Sequence, residues 1–381
     1  MKIGILTQPL HTNYGGLLQN YALQQTLIRA GHDVETIDWK NPDIELTDWF
    51  RFKRFLLLKF GGKQYKSLKY IPAKKERSVI QNNTNRFIQT KIRHTKAMTG
   101  YDDFEVQARK GAYDAYIVGS DQCWRPKYNK FLPAMFLGFL KDSGARRIAY
   151  AVSFGTDEWE FSEEMSNICA PLARKFNLVS VREDSGIILC KEHFGVDAIQ
   201  VLDPTLLLTK EDYLHLVESE NEPHSSGTLF NYILDPDDKT TDIINHVAHG
   251  LGLKAFQVLP KYQADTLTKE IVKDCIDDCV FPSVTAWLRA FIDAEMTIVD
   301  SFHGMVFSIL FNKPFWVIGN SERGMSRFTS LLKLFNLENR LLDLNELDNV
   351  SFSSPIDWDN VNAILEKQRI SSKNLLLNSL K

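Results

Sequence analysis

The chain alternates short apolar runs with longer segments in which apolar residues recur every three or four positions. Runs of four or five apolar residues between polar or glycine-containing turns predict buried strands, and the periodic segments predict helices. In the first half, strands are predicted at residues 3–6, 115–118, 148–152, 178–181 and 199–202. Helices are predicted from Gly16 to Gly31 and over 185–194, each closed by a glycine that can adopt the left-handed conformation.

A second series of the same kind follows the polar stretch at residues 219–227. It predicts strands at 229–233, 255–259, 296–299 and 315–318, and helices at 238–249, 284–294, 305–311 and 326–335. Strands that alternate with helices are typical of parallel sheets covered by helices on both faces. We therefore predict an α/β protein with two Rossmann-like, doubly wound domains, residues 1–222 and 223–381, that face a central cleft where ligands bind.

Composition is that of a globular protein. With 381 residues and 44% hydrophobic content, the chain can bury more than one core. The chain begins with a β-like segment rather than a signal peptide, and no apolar run reaches the roughly 20 residues that cross a bilayer, so we expect a cytoplasmic location. The five cysteines and nine histidines show no metal-ligand spacing. We predict reduced thiols, no metal and no bound cofactor.

The net charge of −3 is unevenly distributed, because residues 51–96 contain fourteen Lys or Arg residues and one acid, Glu76. The first part of this segment interleaves aromatic and cationic residues, a pattern typical of a basic helix at an anionic membrane surface. The alternative is an insertion helix that packs on its own domain. We treat residues 49–96 as a basic insertion and expect peripheral attachment to the inner face of the membrane. Nucleic acid is not an expected partner, since no recognised motif accompanies the charge.

Candidate chemistry in the second half lies at the ends of two predicted strands. Ser301, His303 and Gly304 follow the strand at 296–299 and precede a helix, where amide donors and the helix dipole favour an anion and a histidine can transfer a proton. A lone loop histidine is more often structural. Arg323 and Arg327 follow the next strand, and guanidinium groups bind carboxylate and phosphate bidentately. The alternative is a pair of surface arginines.

In the first half, Asn13-Tyr14-Gly15-Gly16 forms a small-residue turn that lets a ligand approach the backbone. Another strand ends in Gly119-Ser120-Asp121-Gln122-Cys123-Trp124, where a carboxylate, an amide and an indole suit a sugar. Asp121 can act as a base there, although capping of a helix by Ser120 or Asp121 is an equal alternative. Arg182 can bind an anion or pair with a neighbouring acid. We interpret Asp203-Pro204-Thr205 as a structural turn.

Taken in order, five motifs resemble the polysaccharide pyruvyltransferase family, and the resemblance covers nearly the whole chain. They are Asn13-Tyr14-Gly15-Gly16, Val118-Gly119-Ser120-Asp121-Gln122, Ser180-Val181-Arg182-Glu183, Asp203-Pro204-Thr205 and Ser301-Phe302-His303-Gly304. Each motif is short and moderately specific, and their shared order carries the resemblance.

The resemblance implies a glycosyltransferase-B-like pair of domains that transfers the pyruvyl group of phosphoenolpyruvate, a co-substrate, to a sugar of a polysaccharide or lipid-linked oligosaccharide. It implies that His303 is catalytic and that Arg182 binds the donor. We expect the first domain to form the acceptor side of the cleft and the second domain to form the donor side. Many relatives have an arginine two residues before this histidine, where this chain has Ser301. Arg323 or Arg327 is expected to supply that charge.

Two other functions fit the same predicted fold. A glycosyltransferase that uses a nucleotide-sugar donor shares the two-domain architecture and would bind a nucleotide diphosphate. A catalytically idle relative that binds glycan would fit the serine at position 301. Binding of phosphoenolpyruvate, with release of phosphate, distinguishes the pyruvyltransferase from both.

Overall fold

A computed structural model of the protein describes residues 1–40, 70–109, 111–263, 266–319, 324–343 and 350–381, and the statements below concern those residues. Two parallel sheets organise the chain. The first sheet has the strand order β2-β1-β3-β4-β5-β6. Its strands are β1 (Lys2–Leu6), β2 (Asp33–Thr36), β3 (Ala115–Val118), β4 (Arg146–Val152), β5 (Leu178–Val181) and β6 (Ile199–Gln200).

The second sheet has the order β11-β10-β9-β7-β8, and its strands also pair in parallel. Its strands are β7 (Leu229–Tyr232), β8 (Ala255–Phe256), β9 (Met296–Val299), β10 (Phe315–Ile318) and β11 (Leu341–Leu342). We call the two sheets with their helices the first unit and the second unit. The α/β class and the doubly wound architecture predicted from the sequence are confirmed.

Helices connect the strands and cover the sheets. In the described chain they are α1 (Tyr14–Arg29), α2 (Lys74–Ile80), α3 (Asn82–Lys91), α4 (Tyr101–Arg109), α5 (Leu132–Met135), α6 (Glu163–Ala173), α7 (Asp184–Leu189), α8 (Lys210–Ser219), α9 (Asp238–Leu251), α10 (Lys269–Asp274), α11 (Val284–Asp293), α12 (Phe302–Leu310), α13 (Ser326–Leu334) and α14 (Trp358–Asn378). Gly31 and Gly195 adopt φ values of +87° and +68°, as predicted for helix-terminating glycines.

Both faces of the first sheet are buried, because alternate residues of a strand point to opposite sides. Ile3 and Ile5 of β1 pack in one apolar cluster, whereas Leu6 packs in another. The last helix, α14, returns to the first unit, where Leu376 joins the cluster of Ile3. Arg369 of α14 also donates a hydrogen bond to the Leu206 carbonyl, 2.7 Å away. The C-terminal helix therefore ties the end of the chain to the first sheet.

Part of the predicted basic insertion is described, and residues 41–69 are not. Helices α2 and α3 fall in the described part. Lys91 and Arg86 lie 2.7 and 3.3 Å from carboxylate oxygens of Glu220, and Arg93 lies 2.8 Å from Asp33. These three cations therefore pair with acids of the protein itself. Within the described ranges, every helix is too short or too polar to cross a lipid bilayer.

The strand order reverses direction at one point in each sheet. In the first sheet the reversal lies between β1 and β3, and in the second it lies between β7 and β9. Loops leave the carboxyl ends of neighbouring strands on opposite sides at such a point, so a crevice opens there. The fold therefore offers two crevices, and the loops after these four strands decide what they bind.

Candidate active site

The two crevices meet in a single cavity of about 370 Å³. Residues after β1 and β3 line one side, among them Gln8, Asn13, Asp121 and Gln122. Residues after β7 and β9 line the other, together with Arg327 of α13. The cavity therefore lies where the strand-order reversals of the two sheets face each other. Doubly wound proteins usually bind their ligands at such reversals.

Asp203 lies at the centre of a buried polar cluster beside this cavity. Its Oδ2 accepts a hydrogen bond from the Ser120 hydroxyl at 2.6 Å and from Nη1 of Arg182 at 3.1 Å. The same oxygen lies 3.5 Å from Nε2 of His303. Its Oδ1 accepts from the backbone N–H of Thr205 at 3.0 Å. One carboxylate therefore joins the ends of β3, β5 and β6 to a histidine of the second unit.

Burial by itself would raise the pKa of Asp203, since desolvation disfavours the charged form. The positive charge of a protonated His303, the Arg182 guanidinium and the Ser120 hydrogen bond outweigh this effect. They hold the pKa of the Asp203 carboxyl well below its usual range. Asp203 is therefore ionised at every physiological pH.

Arg182 is enclosed by acids and does not line the cavity. Its guanidinium lies 3.1 Å from Asp203 and 3.8 Å from Asp121 and Glu183, and it stacks 4.1 Å from the centre of the Phe302 ring. Burial favours loss of its proton, but the three carboxylates outweigh that effect and raise the pKa of Arg182. We predicted Arg182 as a donor ligand. The structure instead places it behind the cavity wall, as the counter-ion of these acids.

Asp121 lies at the cavity with a strained backbone. Its φ of +77° is in the left-handed region that non-glycine residues rarely occupy. Its side chain accepts a hydrogen bond from the N–H of Gln122 at 2.9 Å, and Nδ2 of Asn13 lies 3.5 Å from Oδ2. Such strain persists only where the surroundings enforce it, and it is concentrated at functional sites. Asp121 and Asn13 thus form a polar pair on the first-unit side of the cavity.

His303 lies on the second-unit side, in the first turn of α12, and only 8% of its surface is exposed. Its ring packs against Gly15 of α1 so closely that a Cβ on Gly15 would lie 2.1 Å from Nδ1. Nε2 faces Asp203. The histidine is therefore held between two residues of the first unit.

Ser301 begins α12, and its hydroxyl accepts a hydrogen bond from the N–H of Gly304 at 2.9 Å. Gly304 packs tightly there, since a Cβ on it would lie 2.9 Å from Cβ of Val299. Ser301 lines the cavity, whereas Gly304 does not. A glycine is required at position 304 because the helix approaches β9 closely, and the donor role of Gly304 stays a prediction.

Arg327 brings a positive charge to the cavity, as predicted for a donor-binding residue. Burial, and then the like charge of Arg182, lower the pKa of Arg327 to about 10. A bound anion would relieve both effects, because it supplies the opposite charge in a poorly solvated site. The other arginine predicted for this role, Arg323, lies outside the described residues.

A second histidine, His11, lines the cavity near Asp121. Its side chain is exposed at the cavity, and nearby protein atoms displace part of the water around the ring. This desolvation lowers the pKa of His11, and the negative charge of Asp121 opposes the effect in part. The sequence offered no signal for His11, because it lies in a loop without a recognisable motif.

Four further residues predicted for the acceptor lie outside the cavity lining. Tyr14 is fully buried, stacks on Trp287 and donates to the Pro282 carbonyl, so it joins the two units. Trp124 is also fully buried, and its indole donates to the Met135 carbonyl. The Ser120 hydroxyl is used by Asp203. The N–H of Gly16 donates to Asn13, which caps α1. These residues lie behind the cavity lining, and the acceptor role expected of them stays a prediction.

Seven of the predicted residues do meet at the cavity: Asn13, Gly15, Asp121, Gln122, Ser301, His303 and Arg327. The sequence analysis missed other polar lining residues, such as Gln8 and Tyr128. It also missed the part played by Asp203, which we interpreted as a structural turn. The turn motif that contains Asp203 can be recognised in the sequence. Its contact with His303 cannot, because the two residues are 100 positions apart in the chain.

The architecture is that of the glycosyltransferases of the GT-B fold. Over 99% of its length the chain is similar to Arabidopsis thaliana UGT89C1, in a complex with UDP-L-rhamnose, with a TM-score of 0.53 over 98% of that chain. A complex of the same plant protein with UDP gives a TM-score of 0.51 over 99% of that chain. Identity is 8% in both comparisons, so the similarity concerns the fold alone.

The family is established by sequence. The family model for polysaccharide pyruvyl transferase matches residues 13–322, so the chain belongs to this transferase family. The match includes the loops after β3 and β9 that line the cavity, and it begins at Asn13, the last residue of the loop after β1. None of the curated proteins matches the chain.

Proposed function

We propose that the protein transfers the pyruvyl group of phosphoenolpyruvate to a sugar of a polysaccharide or lipid-linked oligosaccharide, as a cyclic ketal, and releases phosphate. The observation that carries the proposal is the arrangement at the end of β9 in a member of this family. There, His303, the N-terminus of α12 and Arg327 line one cavity.

The second-unit side suits the donor. Phosphoenolpyruvate carries a phosphate and a carboxylate, and Arg327 offers a guanidinium fork that matches either group. The N-terminus of α12 adds amide donors and the positive end of the helix dipole. Ser301, which replaces the arginine of many relatives, contributes a cap to this helix rather than a charge. Arg327 therefore supplies the charge on this side in our proposal.

The first-unit side suits the acceptor. Gln8, Asn13, Gln122 and Tyr128 present amides and a phenol, which donate to and accept from sugar hydroxyls. Arg125 shapes this surface from behind. It pairs with Glu160 through two hydrogen bonds of 2.7 and 2.8 Å, donates to Gln122 at 2.9 Å and lies 5.2 Å from the centre of the Tyr128 ring.

The proposed reaction begins with proton transfer from His303 to the methylene carbon of the donor. A sugar hydroxyl then adds to C2 and gives its proton to Asp121. Breakage of the bond between C2 and the phosphate oxygen expels phosphate, while Arg327 stabilises the growing negative charge. A second hydroxyl adds to C2 and gives its proton to the expelled phosphate, which is still in the cavity, and the ketal closes. The proton on Asp121 then returns through solvent to His303, so both residues regain their starting states.

The experiment that tests the proposal measures phosphate release from phosphoenolpyruvate with galactosyl, glucosyl and N-acetylmannosaminyl acceptors. We expect acceptor-dependent release by the native protein. His303→Gln should reduce it by about 10²- to 10⁴-fold, the usual contribution of a general acid. His249→Gln is the matched control, because His249 is exposed near the end of α9. Absence of release with every acceptor would count against the proposal.

A nucleotide-sugar glycosyltransferase is the second candidate, because the similar plant structures contain UDP or UDP-L-rhamnose. The two functions differ in the donor they bind. A thermal-shift comparison of phosphoenolpyruvate with UDP and UDP-sugars tests them directly. Stabilisation by phosphoenolpyruvate and not by UDP supports the pyruvyltransferase, and the reverse pattern supports the glycosyltransferase.

We also propose that the basic insertion, residues 49–96, attaches the protein to an anionic membrane surface, where lipid-linked acceptors are found. The charge of the segment supports this proposal. Sedimentation with anionic and neutral vesicles tests it. We expect binding to anionic vesicles that weakens as salt is added, and equal recovery in the supernatant with both vesicles would exclude the attachment.

A further inference from the structure

His303 and Asp203 belong to different units of the protein. His303 follows β9 of the second sheet, whereas Asp203 follows β6 of the first, and 3.5 Å separates Nε2 from Oδ2. Helix α1 of the first unit supplies the other contact of the ring, through Gly15. The position of the histidine thus depends on the approach of the two units.

The two oxygens of Asp203 have separate tasks. Oδ1 accepts from the N–H of Thr205 at 3.0 Å and from its hydroxyl at 2.7 Å, which fixes the turn that carries the carboxylate. Oδ2 is held by Ser120 and Arg182. This second oxygen is therefore aimed at His303 by groups that are themselves buried.

The two nitrogens of His303 are also distinguishable. Nε2 is buried and has no hydrogen-bond partner within the described residues, but it lies at ion-pair distance, 3.5 Å, from Oδ2 of Asp203. Nδ1 lies beside Gly15, which lines the cavity. A proton on Nε2 would point at a carboxylate, whereas a lone pair there would face a negative charge. The geometry favours the proton on Nε2 and leaves Nδ1 for the cavity.

We propose that Asp203 is a positioning residue that fixes the tautomer and orientation of His303, and that this pair forms only when the two units meet. The inference rests on the proposed function of His303 as the proton donor. The doubly protonated ring gives its Nδ1 proton to the methylene carbon of the donor. It keeps the Nε2 proton on the side of Asp203, so the ring ends neutral and the carboxylate stays ionised.

Other charged and titratable groups face this pair. Arg182 is fixed beside Asp203, and Glu183 and Asp121 lie beyond it. The hydroxyls of Tyr150 and Tyr213 donate to the carbonyls of Leu202 and Thr205, and burial followed by the charge of Asp203 raises both pKa values. Both tyrosines are therefore neutral. Asp203 is the negative group closest to the ring, and its charge can be removed alone.

Asp203→Asn tests the proposal. The asparagine side chain has the same shape as the aspartate and keeps the Oδ1 acceptor, but an amide NH2 donor replaces Oδ2. An amide donor forces Nε2 to accept, so the neutral ring should carry its proton on Nδ1. Nitrogen-15 NMR of histidine-labelled protein at alkaline pH reports this tautomer, with His303→Gln to assign the signal. We expect an Nε2-protonated ring in the native protein and an Nδ1-protonated ring in Asp203→Asn.

Activity gives a second result. The Nδ1–H ring of Asp203→Asn cannot give up its proton without becoming an anion, so kcat should fall by about 10²-fold or more. Ser120→Ala, a milder change that removes one hydrogen bond from Oδ2 but keeps the carboxylate, should reduce kcat less and leave the ring protonated on Nε2. Asp357→Asn is the control, since Asp357 caps α14 and carries out only that task among the described contacts.

The two proposals fail in different ways. If the native protein releases no phosphate from phosphoenolpyruvate, the proposed function fails, and the NMR result still decides whether the pair exists. If the tautomer of His303 is the same in the native protein and in Asp203→Asn, the positioning role is overturned even where activity falls. If Asp203→Asn changes the tautomer and retains native kcat, the catalytic part of the inference is overturned.

Discussion

Adding a single methyl group at Gly15 should reduce the activity strongly and leave the folded structure almost as stable as before. Gly15 lies in the first turn of α1 and lines the cavity beside His303. Its φ is not in the left-handed region, so alanine can adopt the same backbone conformation. The restriction comes from the contact alone. A Cβ there would lie 2.1 Å from Nδ1, 2.3 Å from Cγ and 2.7 Å from Cβ of His303.

The size of the effect follows from these distances. Ordinary contacts of a Cβ begin at 3.4 Å, so the ring would have to withdraw by about 1 Å or more. Rotation about the side-chain bonds cannot relieve the overlap, because Cβ of His303 is itself too close. Helix α12 or helix α1 must shift, and a displacement of about 1 Å at a catalytic group costs roughly 10²-fold in rate.

Stability should change much less. Alanine is favoured over glycine in a helix by about 1 kcal/mol, and overpacking costs about 1–3 kcal/mol. Gly15→Ala should therefore remain folded, with a free energy of unfolding lowered by at most about 2 kcal/mol. Gly250→Ala is the matched control: Gly250 lies in α9, and a Cβ there meets nothing within 4 Å.

The assay combines phosphate release with thermal unfolding of both variants. We expect kcat/KM of Gly15→Ala to fall by about 10²-fold or more while its Tm stays near that of the native protein. Gly250→Ala should keep native activity. If Gly15→Ala retained native kcat/KM while His303→Gln was inactive, the ring could not occupy this position in the working enzyme, and the reasoning would be refuted.

Three further predictions follow from the charges and burial of single residues. Arg327→Lys keeps the charge but loses the planar fork, so KM for phosphoenolpyruvate should rise about 10-fold or more in steady-state kinetics; an unchanged KM would remove Arg327 from the donor site. Cys275 is exposed, whereas the other four cysteines are buried. Burial raises the pKa of the Cys123, Cys169 and Cys190 thiols to about 12 and also raises that of Cys279. A thiol reagent should therefore modify one cysteine in the native protein and all five in denaturant. The pKa of Asp203 is depressed in the folded state, so its stabilising contribution is present above the unfolded value of 3.8 and is lost as the pH falls below it. Urea unfolding at about pH 6 and about pH 3 should show this loss in the native protein and a smaller one in Asp203→Asn; equal losses would contradict the assignment.

Much of the fold could be predicted from local patterns. The strands β3, β5, β9 and β10 have the predicted bounds, because each is a mostly apolar run of four residues that is buried on both faces. Strand β2 was missed. Three of the four residues in Asp33–Thr36 are polar, and the strand lies at the edge of the sheet.

Helix α12 shows how a cap changes a boundary. The apolar period predicted a start at Met305, whereas the helix begins at Phe302. Ser301 explains the difference, because its hydroxyl accepts from Gly304 and satisfies one of the amides of the first turn. This earlier start places His303 inside the helix, close to the positive end of its dipole.

The site could be predicted only in part, because its central contacts join distant parts of the chain. His303 and Asp121 were found through the strands that end beside them. The pairing of His303 with Asp203 depends on how the two units face each other, and no local pattern contains that information. Trp124 illustrates the opposite error, since an indole suited to a sugar was equally suited to the core in which it lies.

Three residues at or beside the cavity combine a contact that fixes the backbone with a second polar contact or a position at the cavity. Asp203 fixes its own turn with Oδ1 and faces His303 with Oδ2. Asn13 caps α1 with its carbonyl oxygen, while its amide reaches toward Asp121. Ser301 caps α12 and lines the cavity. When the backbone holds one polar atom of a side chain, the second polar atom of that side chain has little freedom to move. The capping contact therefore orients the atom that faces the site. Capping residues at the ends of these strands are therefore candidates for the site because of their structural role.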